Sequence, residues 1–354
     1  MAPAYGMFDA DGHIFEKEAE IFDFLDAPFG DVERLRGARL FPSGDVWNKT
    51  VLDVIDGVHH EKVRDVGAEQ WTDFLDEMEL DGTVLYPSSA TRIGFVKEIE
   101  FAIPLAKAYN SWLHARYLSQ SPRLGGVAIL PLQDPALAAA ELRRAVTELG
   151  FVGALLPGVG LDRLHGDRVY DQVFETAQEL DVPLVVHGGA TMMPGLQEFD
   201  RAVKTRTLTH PFAQLIQLTD IMFNGVFDRF PRLRMGFMEA GIGWAIMLLD
   251  RMERSIAMGW SVEAPDMKRT PYETLTSGQL YFHCEMDEEI LPYAISLLGD
   301  ENLLYASDFP HQPPRYCMED MRKLQERPDL SEETKSRILG ENARRFYHLE
   351  GEAS

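Results

Sequence analysis

Cysteine is scarce in this chain, whose 354 residues include only Cys284 and Cys317. Neither residue belongs to a C-x-x-C pair, and two cysteines cannot build a disulfide framework, so the composition suits a reducing cytoplasm. Long apolar segments are also lacking. No run approaches the roughly 20 residues that a bilayer-spanning helix needs, and the amino-terminal end carries no basic region followed by an apolar stretch. We therefore expect a cytoplasmic protein that does not enter a membrane.

Positive charge is in short supply as well. The 34 Lys and Arg residues stand against 57 Asp and Glu residues, for a formal net charge of −23. Nucleic acids and anionic membranes attract basic surfaces, so neither is an expected partner. The chain also lacks a P-loop and the G-x-G-x-x-G turn of dinucleotide-binding folds. These absences favour a soluble protein that acts on a small molecule.

Eight short apolar segments alternate with segments of helical periodicity along the chain. Segments this apolar are typical of parallel strands buried on both faces, and their alternation with helices predicts a (β/α)8 TIM barrel of the α/β class. A doubly wound open sheet is the alternative. With 45% apolar residues the chain can bury one large core, and we expect a single domain over residues 1–354. The predicted strands lie at residues 7–11, 83–87, 126–131, 152–157, 182–189, 234–239, 280–285 and 303–308.

Two segments stand outside this alternation. Residues 17–70 form a long, charged insertion after the first strand, in which several aromatic residues are spread. A substrate lid and a packing flap are both consistent with such an insertion, and in a lid Phe41 and Trp47 would exclude water. Residues 331–347 are predicted to form a capped closing helix. A helix over residues 211–230 is predicted to precede the sixth strand.

The first strand carries Asp9, Asp11 and His13 at alternate positions. Residues two apart on a strand face the same side, so these three side chains can point together, and Gly12 would let the backbone turn. Glu16 can fold back from the loop that follows. A capped turn with a buried loop histidine would explain this stretch equally well. The residues at the ends of the other strands distinguish a metal site from this structural explanation.

Polar residues also follow the later strands. They are His187 after the fifth strand, Glu239 after the sixth, His283 and Glu285 after the seventh, and Asp308 with His311 after the eighth. The carboxyl ends of all strands in a parallel barrel meet at one mouth. Taken singly, these residues have structural explanations, such as an ion pair between Glu239 and Arg251. Taken together, Asp11, His13, His187 and Asp308 predict a metal site at the mouth.

Five motifs in this order resemble a known family. They are Asp11-Gly12-His13, Val186-His187-Gly188-Gly189, the Glu239 to Trp244 stretch, Tyr305 to His311, and Glu341 to Phe346. The chain resembles the amidohydrolase-related branch of the amidohydrolase superfamily, which includes aminocarboxymuconate-semialdehyde decarboxylase, over essentially its whole length. The resemblance implies a TIM barrel whose mouth binds a divalent metal through Asp11, His13, His187 and Asp308. The chain departs from the family pattern at Asp11, where His is usual, and at Glu239, where some members have His-Gly-Gly.

A site of this kind supports hydrolysis or decarboxylation of a small substrate that contains a carbonyl or carboxylate group. One metal would act as a Lewis acid or would lower the pKa of bound water to about 7, beside a general acid or base. Asp308 can serve as both ligand and base, and His283 or His311 could move the proton. Zinc, manganese and iron all remain open, with one or two ions. A homodimer is a further expectation, since barrel enzymes of this kind are often dimers.

Two other functions remain open from the residues. Four carboxylates and two imidazoles, those of Asp11, Glu16, Glu239, Asp308, His13 and His187, would suit two metal ions, since buried carboxylates need cations to neutralise them. A non-haem di-iron monooxygenase is therefore the alternative to the hydrolase or carboxy-lyase. A non-catalytic binding protein on a barrel scaffold is the third hypothesis.

Overall fold

The structure is a computed structural model, and it describes residues 6–42, 65–188, 193 and 195–349. Within these ranges, eight parallel strands pair in chain order, each with the next. The strands are β1 Met7–Ile14, β2 Leu80–Pro87, β3 Leu124–Ala128, β4 Gly153–Pro157, β5 Leu184–His187, β6 Met235–Met238, β7 Leu280–His283 and β8 Leu303–Leu304. Every strand that the sequence predicts is present close to its predicted place.

Backbone hydrogen bonds between β1 and the segment after β8 bring the two ends of the sheet together. Ala10 N donates to Tyr305 O at 3.0 Å, and Asp308 N donates to Asp11 O at 3.1 Å. Sequential parallel pairing that returns to its first strand is the arrangement of a (β/α)8 barrel. The predicted TIM barrel is therefore confirmed, and the open-sheet alternative is wrong.

Helices separate the strands and cover the outside of the barrel. In the described part of the chain they are α1 Glu18–Phe22, α2 Ala68–Glu77, α3 Ile99–Arg116, α4 Pro135–Leu149, α5 Asp171–Leu180, α6 Ala202–Phe223, α7 Val226–Arg229, α8 Gly243–Ala257, α9 Pro271–Leu275, α10 Leu291–Leu298, α11 Pro314–Glu326, α12 Glu332–Ser336 and α13 Asn342–Tyr347. The sequence signals hold at α4, where Asp134 caps the start and Gly150 ends the helix with a positive φ of 72°. None of the described helices is both long and apolar enough to cross a bilayer.

The residues of the strands form the core of the barrel. Every residue of β1 is buried, as is every residue of β4 to β8. Burial on both faces explains why these segments read as apolar runs. It also means that the polar residues of β1 are held in the interior, where each requires a partner.

Gly12 lies inside β1 and not at a turn. The strand continues to Ile14, with a shift of register against β2 between Asp9 and Gly12. A Cβ atom at Gly12 would overlap the ring of Trp71. Close packing by Trp71 therefore explains this glycine, and the predicted sharp turn is wrong.

The structure describes part of the insertion over residues 17–70 and all of the closing segment over residues 331–347. Within residues 17–70, α1 and the buried Phe41 are described, and Phe41 packs edge-on against Tyr109 at 6.1 Å between ring centroids. Trp47 lies outside the described residues, so a lid over residues 17–70 stays a prediction. The closing segment runs through α12, a π-helical turn at Arg337–Glu341 and α13, with the Ser331 side chain capping its start.

Candidate metal centre

The end of β1 supplies two buried side chains to the mouth of the barrel. His13 Nδ1 lies 3.1 Å from Pro87 O, a carbonyl that can only accept, so Nδ1 carries the hydrogen and Nε2 keeps its lone pair. That Nε2 atom lies 3.4 Å from Asp11 Oδ1. A backbone carbonyl that fixes the tautomer of a histidine in this way is typical of metal-ligating imidazoles.

His187 at the end of β5 is arranged in the same manner. Its Nδ1 atom lies 2.8 Å from Gly188 O, which leaves Nε2 to face the mouth. Nε2 lies 2.9 Å from Glu239 Oε2 and 3.7 Å from Asp11 Oδ2. β1 and β5 are on opposite sides of the strand order, so only the closed barrel brings His13 and His187 to a ring separation of 5.1 Å.

Asp308 follows β8 and turns its carboxylate into the mouth. Its φ of 51° is in the left-handed region, which is uncommon for a residue with a side chain. Oδ1 lies 3.6 Å from His13 Nε2 and accepts from His311 Nδ1 at 2.8 Å. The other ring nitrogen of His311 lies 2.7 Å from Ser88 Oγ, so His311 is held on both sides. The structure thus brings the predicted residues Asp308 and His311 to the site.

Glu239 faces the mouth as predicted, from the residue directly after β6. It also has a left-handed φ, of 58°. Besides its contact with His187, Glu239 Oε2 lies 3.6 Å from His210 Nδ1 and 3.9 Å from His13 Nε2. Among the described residues its ionic partners are these imidazoles and not Arg251.

His210 is the site residue that the sequence reasoning missed. The predicted helix begins at Pro211, but α6 begins at Ala202, so His210 lies within the helix and not in the loop before it. Its ring lies 5.6 Å from that of His187. The available signal was its place between the ends of β5 and β6, in a βα connection at the catalytic face of a barrel.

Two predicted site residues are not brought into this cluster. The Glu16 carboxylate accepts from the backbone N–H groups of Ser89 and Ala90, each at 2.8 Å, and so holds the loop after β2. Its predicted role as a metal ligand is not supported by this geometry, because both of its oxygens serve the backbone. His283 is buried at the end of β7 with Nδ1 unpaired, and none of the described contacts joins it to the cluster. Its catalytic role stays a prediction.

The side chains that do converge fit a divalent cation. Three buried ligand atoms at the mouth make no hydrogen bond to the described residues, namely Asp11 Oδ1, His13 Nε2 and His210 Nδ1. Unpaired buried polar atoms are costly, so their convergence points to a partner that they share. Two atoms bound at about 2.1 Å to one ion lie about 3.0–3.4 Å apart. The separations between neighbouring donors at the mouth, from 2.8 to 3.9 Å, bracket that range.

The electrostatics of the mouth favour a cation as well. Burial raises the pKa of Asp11 well above its usual range, and the nearby carboxylates of Glu239 and Asp308 raise it further. Burial lowers the pKa of His13 well below the usual value. Burial also acts to lower the pKa of His187, but the adjacent Glu239 carboxylate outweighs it and raises that pKa to about 9. Crowded, buried carboxylates of this kind are stabilised by a bound metal ion.

Comparisons with known proteins identify a family and several relatives of this chain. A family model described as Amidohydrolase matches residues 56–349. The gamma-resorcylate decarboxylase of Polaromonas sp. is 27% identical over 289 residues, which are 78% of this chain and 85% of that protein. The 2-amino-3-carboxymuconate-6-semialdehyde decarboxylase of Dictyostelium discoideum is 25% identical over 264 residues, covering 73% of this chain and 70% of that protein.

A comparison with a solved structure supports the fold. A dihydroxybenzoic acid decarboxylase from Polaromonas sp., solved with bound manganese and the inhibitor 2-nitroresorcinol, superposes with a TM-score of 0.76 at 22% identity over 98% of both chains. The relatives described above are enzymes, which confirms the prediction of an enzyme over that of a binding protein. The family model matches residues 56–349, which are most of the chain and contain β2 to β8, and the chain therefore belongs to the amidohydrolase family.

Proposed function

We propose that this protein is a divalent-metal-dependent carboxy-lyase. Its substrate would be a small aromatic or conjugated carboxylic acid that bears a hydroxyl or carbonyl group next to the carboxylate. The observation that carries the proposal is the convergence of Asp11, His13, His187 and Asp308 at the barrel mouth, in a family whose relatives described above are decarboxylases. A cation held there supplies positive charge that fixes the substrate carboxylate and its neighbouring oxygen.

The side chains account for the proton that decarboxylation requires. When the bond to the carboxylate breaks, its electron pair stays on the substrate carbon, and that carbon must take up a proton as carbon dioxide leaves. The Asp308 carboxylate and the His311 ring lie within hydrogen-bonding distance, at 2.8 Å, and can hold and transfer this proton. His311 reaches Ser88 on its other side, which orients the ring for that transfer.

Burial supports the same chemistry. Asp11, His13 and His187 are each at most 3% exposed, so the charges of the site act with little screening by water. Charged groups that are held in place before the substrate binds need to move little when charge develops on the substrate during the reaction. Manganese is our preferred metal because the solved relative binds it and because imidazole and carboxylate donors suit it.

Hydrolysis is the second candidate, because the same donors would lower the pKa of a bound water. A di-iron monooxygenase is not supported, since none of the relatives described above is an oxygenase and Glu16 does not join the site.

The test is carbon dioxide release from a panel of hydroxyaromatic acids that includes gamma-resorcylate, in buffer with Mn²⁺ and after chelation. We expect metal-dependent release, and in D₂O one deuterium at the carbon that lost its carboxylate. The matched control is His348→Ala, which removes an exposed histidine that pairs with Asp181 and should keep full activity. Cleavage of amides or lactones with no release from any acid of the panel would favour the hydrolase.

A further inference from the structure

The turn after β6 carries Glu239 to the mouth of the barrel, and we call residues 238–243 the β6 turn. Its backbone is in the left-handed region at two positions, with a φ of 58° at Glu239 and of 67° at Gly241. A residue with a side chain adopts this conformation only where the surrounding structure requires it. The contacts on the two sides of Glu239 show what imposes the conformation here.

On the amino-terminal side, helix α6 holds the carbonyl group that precedes Glu239. Gln214 is fully buried, and its Nε2 atom donates to Met238 O, since a carbonyl oxygen can only accept. Gln214 lies four residues after His210, so both side chains project from the same face of α6. His210 Nδ1 lies 3.6 Å from the Glu239 carboxylate. The helix therefore contacts Glu239 through His210 and the backbone beside it through Gln214.

On the carboxyl-terminal side, the Glu288 carboxylate binds the backbone that follows Glu239. Oε1 accepts from Ile242 N at 3.0 Å and from Gly243 N at 3.3 Å, and Oε2 accepts from Ile242 N at 3.1 Å. These N–H groups are at the start of α8, where Ile242 has no polar side chain to cap the helix. A Cβ atom at Gly241 would lie 2.7 Å from Glu288 Oε1, so a side chain there would displace the carboxylate.

Glu288 is itself held in place by its own loop. Its Oε2 atom also accepts from Glu285 N at 2.9 Å, which closes the loop after β7. The Arg327 guanidinium donates to two carbonyl oxygens of that loop, Met286 O at 3.2 Å and Glu288 O at 2.8 Å. A carboxylate fixed in this way can hold the β6 turn in one conformation.

We propose that Gln214 and Glu288 are positioning residues of the metal centre. In the described contacts, both act on Glu239 through the backbone of the β6 turn. Because the turn is fixed on both sides, the Glu239 carboxylate is directed at His187 Nε2, 2.9 Å away. Groups that orient a metal-binding side chain in this way typically change metal affinity by about 10–100-fold when they are removed.

This inference deepens the proposed function and rests on its metal centre, but it does not depend on which reaction takes place there. The affinity for Mn²⁺ is measured without substrate, so it and carbon dioxide release are separate measurements. Carbon dioxide release together with unchanged Mn²⁺ affinity in the variants would overturn the positioning role alone. Weakened Mn²⁺ binding in the variants without release from any acid would overturn the carboxy-lyase alone.

The test is the dissociation constant of Mn²⁺ for the full chain, from a titration in which electron paramagnetic resonance measures the free ion. We expect Glu288→Ala and Gln214→Met to weaken Mn²⁺ binding by about 10–100-fold each. Methionine keeps the length of the glutamine side chain but cannot donate to Met238 O. The two variants act on opposite sides of the β6 turn, so either one tests the proposal if the other does not fold.

A double-mutant cycle separates positioning from a general loss of stability. Glu239→Gly removes the carboxylate and suits the left-handed backbone at this position. In that background no carboxylate remains to be positioned, so adding Glu288→Ala should change the Mn²⁺ affinity by about twofold or less. The loss of stability in urea caused by Glu288→Ala should be similar in both backgrounds, because the start of α8 loses the same acceptor.

Asp134→Ala is the matched control. Asp134 accepts from Ala136 N and Leu137 N, both at 3.1 Å, at the start of α4, which has 15 residues like α8. Its replacement should lower stability and leave the Mn²⁺ affinity unchanged.

Three results would overturn the proposal. A wild-type Mn²⁺ affinity in Glu288→Ala or in Gln214→Met would exclude the role of that residue. A full effect of Glu288→Ala in the Glu239→Gly background would show that the effect does not pass through the Glu239 carboxylate. An Asp134→Ala variant that binds Mn²⁺ as weakly as Glu288→Ala would show that loss of any helix cap is sufficient.

Discussion

Replacement of Asp9 by alanine is expected to destabilise the barrel by about 3–5 kcal/mol. Asp9 is fully buried in β1, two residues before the proposed ligand Asp11. Its Oδ1 atom accepts from Ser307 N at 2.8 Å and from Asp11 N at 3.3 Å, and its Oδ2 atom accepts from Ser307 Oγ and Thr83 Oγ1, both at 2.7 Å. One carboxylate thus ties β1 to β2 and to the segment after β8, beneath the mouth.

The magnitude follows from what alanine leaves behind. Two buried backbone N–H groups, those of Asp11 and Ser307, would lose their acceptor, at about 1–3 kcal/mol each. The hydroxyl groups of Thr83 and Ser307 can rotate to other partners and should add less. The small cavity left by the carboxylate would add to the loss.

Asparagine at the same position should be far milder, at about 1 kcal/mol or less. Its amide oxygen can accept from both backbone N–H groups, while its NH₂ group can donate to the two hydroxyl oxygens, which are able to reverse their roles. Burial raises the pKa of Asp9 against the opposing effect of the hydrogen bonds that it accepts. Asparagine carries no charge and would not have that cost of burial.

The assay is equilibrium unfolding in urea with saturating Mn²⁺ and again with chelator, for wild type, Asp9→Asn and Asp9→Ala. The order of stability should be the same in both buffers, because Asp9 acts on the barrel and not on the metal. An alanine variant within 1 kcal/mol of wild type, or an asparagine variant as damaged as alanine, would refute the reasoning.

Three further outcomes are expected. Asp308→Asn should lower carbon dioxide release by about 10²–10⁴-fold at saturating Mn²⁺, because it removes a charged ligand and the proton-holding group together; full activity would contradict its role. Glu16→Gln should keep the metal content of the wild type but lose about 1–3 kcal/mol of stability, since its NH₂ group would face a backbone N–H donor; a loss of bound metal would restore Glu16 as a ligand. Burial lowers the pKa of His165 from 6.5 to about 4. Between pH 6.5 and 4 the imidazole is therefore protonated in the unfolded chain but not in the folded one, and the free energy of unfolding should fall by up to about 3 kcal/mol as the pH drops through this range. His165→Gln should remove that part of the decrease in urea unfolding, and an unchanged pH profile would exclude it.

The sequence was sufficient for the barrel because burial on both faces leaves a strong apolar signal in each strand. It also indicated that Asp11, His187, Glu239 and Asp308 lie at the mouth, since the carboxyl-terminal parts of parallel barrel strands and the residues after them meet there. No pattern within the segment after β5 distinguishes His210 from an ordinary residue just before a predicted helix, because its helix begins nine residues earlier than the proline suggests.

Glu16 and Gly12 show where local sequence reasoning fails. Spacing alone allowed Glu16 to fold back to the metal site, but the backbone N–H groups of the loop after β2 take both of its oxygens. Gly12 suggested a turn, whereas the ring of Trp71, from a helix far along the chain, requires the missing Cβ. Both outcomes depend on contacts between segments that are distant in sequence, which no local pattern records.

The central claim is that the side chains at the barrel mouth bind divalent metal, and anomalous diffraction from crystals loaded with Mn²⁺ tests it most directly. We expect anomalous density at the mouth, with metal–oxygen and metal–nitrogen distances of about 2.0–2.3 Å to donors that include Asp11, His13, His187 and Asp308. An anomalous map with no density among these side chains, from crystals that hold manganese, would contradict the account.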